Sequence, residues 1–266
     1  MTRVALVTGA ARGIGAATVQ RLAGLGWAVL AVDRCEDDPA LPYGLGTRVE
    51  LEAVVADARS AAGDPQLVES LVVDARDATG LEDAISIAEA KWGGLDAAIA
   101  VAGVIAGGLP MWEVPLEQER AVLEVNLGAA LTLARVAVPA LLRRPAPRSG
   151  RFVAVASTAA NKGLPMLAAY CAAKAGVAGL VRALAAELRG SGVTANAVSP
   201  GSTATRMLDE TARLYGLSST DSFATQQAIG RLLRPDEIAA ALVWLAGAES
   251  SGMTGAIVAI DGGFDL

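Results

Sequence analysis

The chain has 266 residues, a net charge of −6 and a 53% share of hydrophobic residues. This acidic balance, without a basic stripe, speaks against a nucleic-acid surface. Because the chain contains no histidine, histidine catalytic triads, histidine-ligated zinc and histidine general bases are excluded. The two cysteines, Cys35 and Cys171, lack metal-ligand spacing.

Short apolar runs alternate with longer helical patterns along the whole chain. Such alternation predicts βαβ units and a parallel sheet with helices on both faces. Strands are expected at residues 4–8, 28–33, 69–74, 97–101, 151–157, 194–198 and 257–260. Helices are expected at residues 15–25, 51–62, 81–91, 116–144, 168–189 and 235–246. We find no linker or repeat, so the chain reads as a single α/β domain over residues 1–266.

The first residues enter a strand directly, without a signal-peptide pattern. We see no apolar run of the roughly 18 residues that a membrane span requires. The sequence therefore predicts a soluble cytoplasmic protein without a membrane segment.

Two segments interrupt the alternation of strands and helices. Residues 34–53 are rich in Pro, Gly and Asp, and residues 201–229 follow the sixth predicted strand. Long insertions in compact domains are usually lids, binding loops or disordered segments.

A glycine-rich turn, T-G-A-A-R-G-I-G, joins the first strand to the first helix. Glycines there allow a tight turn and close approach of backbone to a pyrophosphate, which the helix N-terminus also attracts. Such glycines can also mark an ordinary strand-to-helix turn, but the position after the first strand favours dinucleotide binding. The candidate residues of this turn are Gly9, Arg12, Gly13, Ile14 and Gly15.

An acidic residue, Asp33, ends the second predicted strand. Its carboxylate can accept hydrogen bonds from adenosine ribose hydroxyls and would repel a 2′-phosphate, which favours NAD over NADP. Arg34 could instead accommodate such a phosphate, and the plain alternative for Asp33 is a solvated strand-end acid. Asp74 and Ala75, after the third strand, are expected beside the adenine, although Asp74 could equally be a helix N-cap.

Tyr170 and Lys174 stand four residues apart in Y-C-A-A-K, on one face of a predicted helix, and Ser157 ends a strand upstream. A free phenol has a pKa of about 10, and a nearby ammonium or cationic nicotinamide favours the phenolate. We therefore expect Tyr170 to be a general base, Lys174 to lower its pKa and hold the nicotinamide ribose, and Ser157 to fix the substrate oxygen. Alone, such a pair is more commonly a packed Tyr beside a solvated Lys.

Taken in order, T-G-A-A-R-G-I-G, V-A-G, V-N-L-G, Ser157, Y-C-A-A-K, S-P-G and the terminal I-D-G-G-F resemble the short-chain dehydrogenase/reductase family over the whole chain. The resemblance implies a Rossmann-like domain with a seven-stranded parallel sheet, and reversible hydride transfer between NAD and an alcohol or carbonyl. It implies a catalytic tetrad and further cofactor contacts. These residues are Asn126, Ser157, Tyr170 and Lys174 in the tetrad, and Ala102, Gly103, Pro200, Gly201, Thr203 and Thr205 at the cofactor.

One position departs from the family pattern. Many relatives carry N-A-G after the fourth strand, whereas this chain has Val101 before Ala102 and Gly103. The bonds of the missing asparagine must be lost or supplied elsewhere, and backbone contact near Ala102–Gly103 is expected to persist. Thr203 and Thr205 could bond the cofactor, or could simply form hydroxyl turns with nearby backbone.

The segment after Asp33 resembles the insertion of short-chain dehydrogenases coupled to mycofactocin. That resemblance implies a tightly held NAD, which mycofactocin, a redox peptide cofactor, reoxidises. A loop beside the adenosine could cover the dinucleotide and slow its release. The alternative is a surface excursion without consequence.

The substrate side is predicted to be apolar, which suggests a hydrophobic secondary alcohol. Helix packing or subunit contact would use the same residues, and the family implies a homotetramer. Two other functions stay open: a freely exchanging reductase, for example of 3-oxoacyl thioesters, and a non-catalytic dinucleotide sensor. The apolar candidates are Val104, Ile105, Trp112, Met207, Leu208, Leu214, Tyr215, Leu217 and Phe223.

Overall fold

A single seven-stranded sheet forms the centre of the molecule in the computed structural model, which describes residues 2–266. Its order is β3-β2-β1-β4-β5-β6-β7, and every pairing is parallel. The strands are β1 (Val4–Thr8), β2 (Ala28–Asp33), β3 (Val68–Val72), β4 (Ala97–Ala100), β5 (Arg151–Val155), β6 (Thr194–Pro200) and β7 (Ile257–Ile260). The predicted Rossmann-like fold is confirmed, with strand ends shifted by no more than two residues.

Helices cover both faces of the sheet. They are α1 (Gly13–Gly24), α2 (Arg48–Ala62), α3 (Ala78–Trp92), α4 (Leu116–Leu123), α5 (Ala129–Arg143), α6 (Ala168–Glu187), α7 (Arg206–Leu214), α8 (Asp221–Ala224) and α9 (Pro235–Ala246). One face of the sheet packs against α3, α5 and α6, and the other packs against α1, α2 and α9. This two-sided burial explains why the central strands are almost continuously apolar.

Alternate side chains of each strand enter opposite halves of the core. Leu6 and Leu30 pack with Leu133 on one side, whereas Val7 and Val29 pack on the other, all fully buried. Burying one such leucine or valine contributes about 1.5–3 kcal/mol. The core thereby fixes the carboxyl ends of the strands, where the candidate site lies.

The long helix predicted over residues 116–144 is interrupted. A π-helical turn, Glu124–Gly128, separates α4 from α5 and contains the buried Asn126. Single π turns inside α-helices frequently mark functional sites. The amide of Asn126 bonds the backbone of Val122 within the helix and that of Val104 outside it, which accounts for the interruption.

Two helical stretches, Leu116–Arg143 and Ala168–Glu187, are long and apolar enough to cross a membrane by length and composition. The expectation that no run reaches this length was wrong by that measure. Both stretches pack against the sheet through residues such as Leu133 and Val177. Core helices of globular proteins satisfy the same criterion, since burial in a core also selects apolar side chains.

Both interrupting segments are shorter or more regular than predicted. The irregular stretch after β2 ends at Thr47, because α2 begins at Arg48 with a capping box between Thr47 and Glu50. The segment after β6 is largely helical, since it contains α7 and α8. We call residues 34–47 the strap.

Candidate active site

A cavity of about 530 Å³ opens at the carboxyl edge of the sheet. The chain crosses from one side of the sheet to the other between β1 and β4, which are neighbours in the sheet. Ligands of open α/β sheets bind at such a switch point. The cavity is lined by the glycine turn, the ends of β2 and β4, residues after β5 and β6, α6 and the start of α7.

The glycine turn lies directly against the segment after β4. A Cβ atom at Gly9, which has a φ of +68°, would sit 2.8 Å from the backbone nitrogen of Ala102. Only a glycine permits both this backbone conformation and this approach. Gly9, Arg12, Gly13, Ile14, Gly15, Ala102 and Gly103 all line the cavity.

Thr8 bonds the segment where relatives have asparagine. Its hydroxyl oxygen accepts hydrogen bonds from the backbone N–H groups of Val101, at 3.2 Å, and Ala102, at 3.4 Å. The backbone N–H groups of Val101 and Ala102 therefore have an acceptor despite Val101, while contact of Ala102 and Gly103 with a cofactor stays a prediction. The end of β1 supplies part of what the missing side chain would bond.

Asp33 is fixed at one end of the cavity, which we predict to be the adenosine end. Its carboxylate accepts hydrogen bonds from the backbone N–H of Ala11, at 3.0 Å, and of Cys35, at 3.1 Å. It also lines the cavity. The glycine turn thus orients the Asp33 side chain through Ala11. The carboxylate keeps further lone pairs that could accept from ribose hydroxyls.

Arg34 faces carboxylates of the chain itself. Its guanidinium donates to Asp38 at 2.9 Å and to the backbone oxygen of Asp37 at 3.0 Å, and it lies 3.8 Å from Asp74. Burial alone would raise the pKa of Asp38, but Arg34 and Arg76 hold it below its usual value. Because its charge is already compensated, Arg34 offers little to a 2′-phosphate, which fits NAD.

Asp74 and Ala75 line the cavity, and their place beside an adenine stays a prediction; Asp74 is also bound to Arg76. The Arg76 guanidinium donates to its carboxylate at 2.7 Å, and the Arg76 backbone N–H donates at 2.9 Å. Burial acts to raise the pKa of Asp74, yet these bonds keep it below the ordinary value. Asp74 therefore closes a loop as well as facing the cavity.

Tyr170, Ser157 and Lys174 come together at the opposite end of the cavity. All three line it, and their exposed fractions are 9%, 9% and 3%. The Lys174 ammonium donates to the backbone oxygen of Val155 at 2.9 Å and lies 5.7 Å from the centre of the Tyr170 ring. The helix spacing thus places phenol and ammonium side by side.

Burial dominates the titration of this pair. It raises the pKa of Tyr170 to about 12, although the neighbouring Ser157 hydroxyl acts to lower it. Burial also lowers the pKa of Lys174 to about 8. The pKa of the phenol thus lies above its ordinary value because burial outweighs the Ser157 hydroxyl, and the lowering of that pKa by Lys174 stays a prediction.

Asn126 reaches the same end of the site through the π turn. Its amide nitrogen donates to the backbone oxygens of Val122 and Val104, both at 2.8 Å, and its oxygen accepts from the Val104 N–H at 3.3 Å. A Cβ atom at Gly103 would lie 2.8 Å from this oxygen and 3.6 Å from the Lys174 ammonium. Asn126 thus joins the π turn to the segment after β4, beside Lys174.

The turn after β6 closes one wall of the cavity, which Pro200, Gly201, Thr203 and Thr205 line. The Thr203 hydroxyl donates to the backbone oxygen of Gly201 at 3.0 Å. The Thr205 hydroxyl donates to the oxygen of Thr203 at 3.2 Å and caps α7 at Leu208. Both threonines therefore form local turns while facing the cavity.

The catalytic end of the cavity is apolar, but only some predicted residues build it. Val104, Ile105, Met207 and Leu208 line it, while Leu214 and Tyr215 pack behind. Trp112 is 84% exposed and Leu217 39% exposed, and Phe223 is buried against Leu208 in a separate cluster. Those three do not line the cavity, because Trp112 and Leu217 face outward and Phe223 packs into that separate cluster. Lining residues that the sequence analysis did not predict include Tyr43, Leu45, Leu164, Leu167 and Arg206.

The strap lines the cavity and bonds two of its walls. Near the glycine turn, Arg12 donates to the backbone oxygen of Gly44 at 2.9 Å. At the catalytic end, the Tyr43 hydroxyl accepts from the Ile105 N–H at 2.9 Å. The Arg12 side chain also leaves Nη1 buried and without a hydrogen-bond partner within residues 2–266. That nitrogen, beside the turn, suits an anion such as a dinucleotide diphosphate.

Comparison with known proteins agrees with this geometry. The family described as Enoyl-(Acyl carrier protein) reductase matches residues 9–265. The chain is 40% identical over 264 residues to the short-chain reductase protein NovJ of Streptomyces niveus, covering 98% of this chain and 93% of that protein. It is 38% identical over 268 residues to cis-4-hydroxycyclohexanecarboxylate dehydrogenase of Sinomonas cyclohexanicum, covering 98% and 96%.

A solved structure is also similar. Carveol dehydrogenase from Mycobacterium avium in complex with NAD superimposes with a TM-score of 0.92 at 29% identity, covering 99% of this chain and 98% of that one.

The fold and the cavity define a dinucleotide-dependent oxidoreductase. The chain belongs to the short-chain dehydrogenase/reductase family. It is an NAD-dependent enzyme acting on a small molecule. The predicted alternative of a non-catalytic sensor is not supported.

Proposed function

We propose that the protein oxidises an apolar secondary alcohol to its ketone, and that its NAD stays bound between turnovers. The observation that carries the proposal is the strap, which lines the cavity and bonds both Arg12 and Ile105. When bound, NAD accepts the hydride from the alcohol carbon. The protein then has to position the alcohol, remove one proton and hold the cofactor.

Tyr170, as the phenolate, takes the hydroxyl proton of the alcohol in this proposal. Because burial holds the pKa of Tyr170 at about 12, the positive charge of an oxidised nicotinamide beside the phenol supplies the remaining stabilisation of the phenolate. Ser157 holds the substrate oxygen near the phenol. A positioned general base contributes about 10²–10⁴-fold to such a reaction.

Lys174 and Asn126 support the base and the cofactor. Lys174 is anchored to the oxygen of Val155, which leaves further ammonium protons for the nicotinamide ribose. We propose that Asn126, fixed in the π turn, positions a water that relays the proton from Lys174 to solvent. Asp33 binds the adenosine ribose in the same proposal, and the glycine turn binds the diphosphate.

The apolar lining supports an uncharged, hydrophobic substrate. Val104, Ile105 and Met207 surround the catalytic end, and a charged substrate group would lose its hydration there. Two related proteins are named as dehydrogenases of ring alcohols, carveol and cis-4-hydroxycyclohexanecarboxylate. A cyclic secondary alcohol is therefore the substrate class we propose.

Retention of NAD requires an external electron acceptor, which we propose is mycofactocin. The two electrons and the proton of the reduced nicotinamide would pass to it without release of the cofactor. The test is extensive dialysis of the purified protein, followed by mass spectrometry of the denatured sample. We expect nearly stoichiometric NAD, and little turnover from added free NAD unless a redox dye is present. Complete loss of NAD on dialysis contradicts the proposal.

A second candidate function is a freely exchanging 3-oxoacyl thioester reductase. The chain is 32% identical to the 3-oxoacyl-[acyl-carrier-protein] reductase FabG of Thermotoga maritima over 264 residues, with 98% of this chain covered. This function predicts rapid multiple turnover with free NADPH, which Asp33 and the compensated Arg34 disfavour. Oxidation of NADPH by acetoacetyl thioester distinguishes the two.

We also propose a cytoplasmic homotetramer. NAD is an intracellular coenzyme, which supports the location. Leu116 and Leu131 are 54% and 47% exposed on α4 and α5, and burial of such side chains between subunits would favour association. Native mass spectrometry tests this, with a tetramer expected and a monomer contradicting it.

A further inference from the structure

The strap contributes an aromatic side chain to the catalytic end of the cavity, and the chemistry proposed above does not use it. Tyr43 lines the same cavity as Ser157 and Tyr170. It comes from a segment between β2 and α2, at the adenosine side of the sheet. The strap therefore carries a residue across the cofactor site to the substrate site.

Three contacts fix the position of Tyr43. Its hydroxyl oxygen accepts a hydrogen bond from the backbone N–H of Ile105 at 2.9 Å. On either side along the strap, Leu41 and Leu45 pack into the apolar cluster that includes Ile105 and Tyr170. The ring is thus held at both its hydroxyl end and its backbone end.

The hydroxyl of Tyr43 remains a neutral group. Burial raises the pKa of Tyr43 to about 12, although the Ile105 N–H and Arg12 act to lower it. A neutral phenol ring presents a flat, largely apolar surface. The aliphatic side chains of Val104 and Met207, which line the same cavity, are apolar as well. Tyr43 therefore closes the apolar lining rather than adding a charge to it.

We propose that Tyr43 determines substrate specificity, forming the wall that limits the size of the alcohol ring the site accepts. This inference rests on the proposed alcohol oxidation and adds that the strap has two roles. It covers the cofactor through Gly44 and shapes the substrate pocket through Tyr43. A related enzyme without this ring would accept larger rings at the same catalytic groups.

The experiment compares kcat/KM for cyclohexanol and menthol, followed by reduction of a redox dye that reoxidises the bound nicotinamide. In Tyr43→Ala we expect the menthol-to-cyclohexanol ratio to rise about tenfold or more, since pocket volume discriminates by that order. In Tyr43→Phe the ring remains, so the ratio should stay within about threefold of the parent, while the melting temperature falls because Ile105 loses its acceptor.

Tyr215→Phe is the matched control. The Tyr215 hydroxyl also bonds backbone, donating to the oxygen of Pro165 at 2.8 Å, but its ring does not line the cavity. The menthol-to-cyclohexanol ratio of Tyr215→Phe should equal that of the parent. If Tyr43→Ala does not fold, Tyr43→Leu, which keeps an apolar side chain of smaller size, is judged by the same criterion.

An unchanged ratio in a folded Tyr43→Ala or Tyr43→Leu variant overturns the specificity proposal and leaves the proposed function intact. If the parent reduces its nicotinamide with neither alcohol nor any other secondary alcohol of a broad panel, the proposed function fails instead. The two failures are therefore distinguished by the parent enzyme alone.

Discussion

Removing the charge of Asp33 should relax the preference for NAD. Asp33→Asn keeps one acceptor oxygen, which can serve either Ala11 or Cys35 but not both, since these two N–H groups bond different oxygens of Asp33. A 2′-phosphate approaching within about 4 Å of the carboxylate meets a repulsion of about 4 kcal/mol per unit charge at an effective dielectric constant of about 20. Partial exposure of Asp33 and screening by salt reduce this to about 2 kcal/mol, which corresponds to about 30-fold in preference.

The same variant should not favour NADP outright, because Arg34 remains paired with Asp38 at 2.9 Å. Adding Asp38→Asn leaves the guanidinium less compensated, and we expect a further shift of several-fold toward NADP. Asp38→Asn alone, with Asp33 intact, should change the preference by less than about threefold.

The assay is kcat/KM for each coenzyme with one secondary alcohol. If the coenzyme does not exchange, the ratio of dinucleotides recovered after refolding in an equimolar mixture replaces it. A preference unchanged in Asp33→Asn would refute the placement of Asp33 at the adenosine ribose. A full inversion in the single variant would refute the argument that Arg34 is neutralised.

Three further predictions concern titration, stability and release. Because burial holds the pKa of Tyr170 at about 12, its ionised fraction rises with pH, so single-turnover alcohol oxidation should accelerate from about pH 6 to about pH 9; a flat profile contradicts this. Thr8→Val leaves two backbone N–H groups without their acceptor and should lower the free energy of unfolding by about 1–3 kcal/mol in urea denaturation, whereas an unchanged midpoint speaks against the bond. Glu50→Gln removes an ion pair with Arg206 at 3.2 Å. Since exposed pairs contribute about 0.2–1 kcal/mol, NAD release measured by dialysis should accelerate no more than about fivefold. A hundredfold acceleration would show that this ion pair, rather than the strap, retains the cofactor.

Much of the fold was predictable because its signals are local. Apolar runs of strand length and helical periodicity located all seven strands and the main helices. The prediction missed the π turn, since Asn126 distorts the helix through a bond to Val104 that is distant in sequence. It also extended the irregular segment to residue 53, where the capping box of Thr47 and Glu50 in fact starts α2.

The candidate site was predictable where spacing carries it. Tyr170 and Lys174 share a helix face, and Asp33 ends a strand beside the glycine turn, so the topology alone brings them to one edge. The path of the strap, in contrast, cannot be predicted from residue spacing. Tyr43 bonds Ile105, which is 62 residues away in the sequence. A Tyr-Gly pair in a loop does not predict where the tyrosine side chain points. For the same reason Trp112 was predicted in the pocket although its side chain is exposed.

The most direct test of the account is single-turnover reduction of the enzyme's NAD by a cyclic secondary alcohol in the parent and in Tyr170→Phe. Reduced nicotinamide is followed by its absorbance, and bound NAD is quantified in both proteins. We predict that Tyr170→Phe still binds NAD and has the melting temperature of the parent. Its rate of nicotinamide reduction should fall by about 10²–10⁴-fold. A rate within about threefold of the parent, with NAD bound, would contradict the role of Tyr170 as the base.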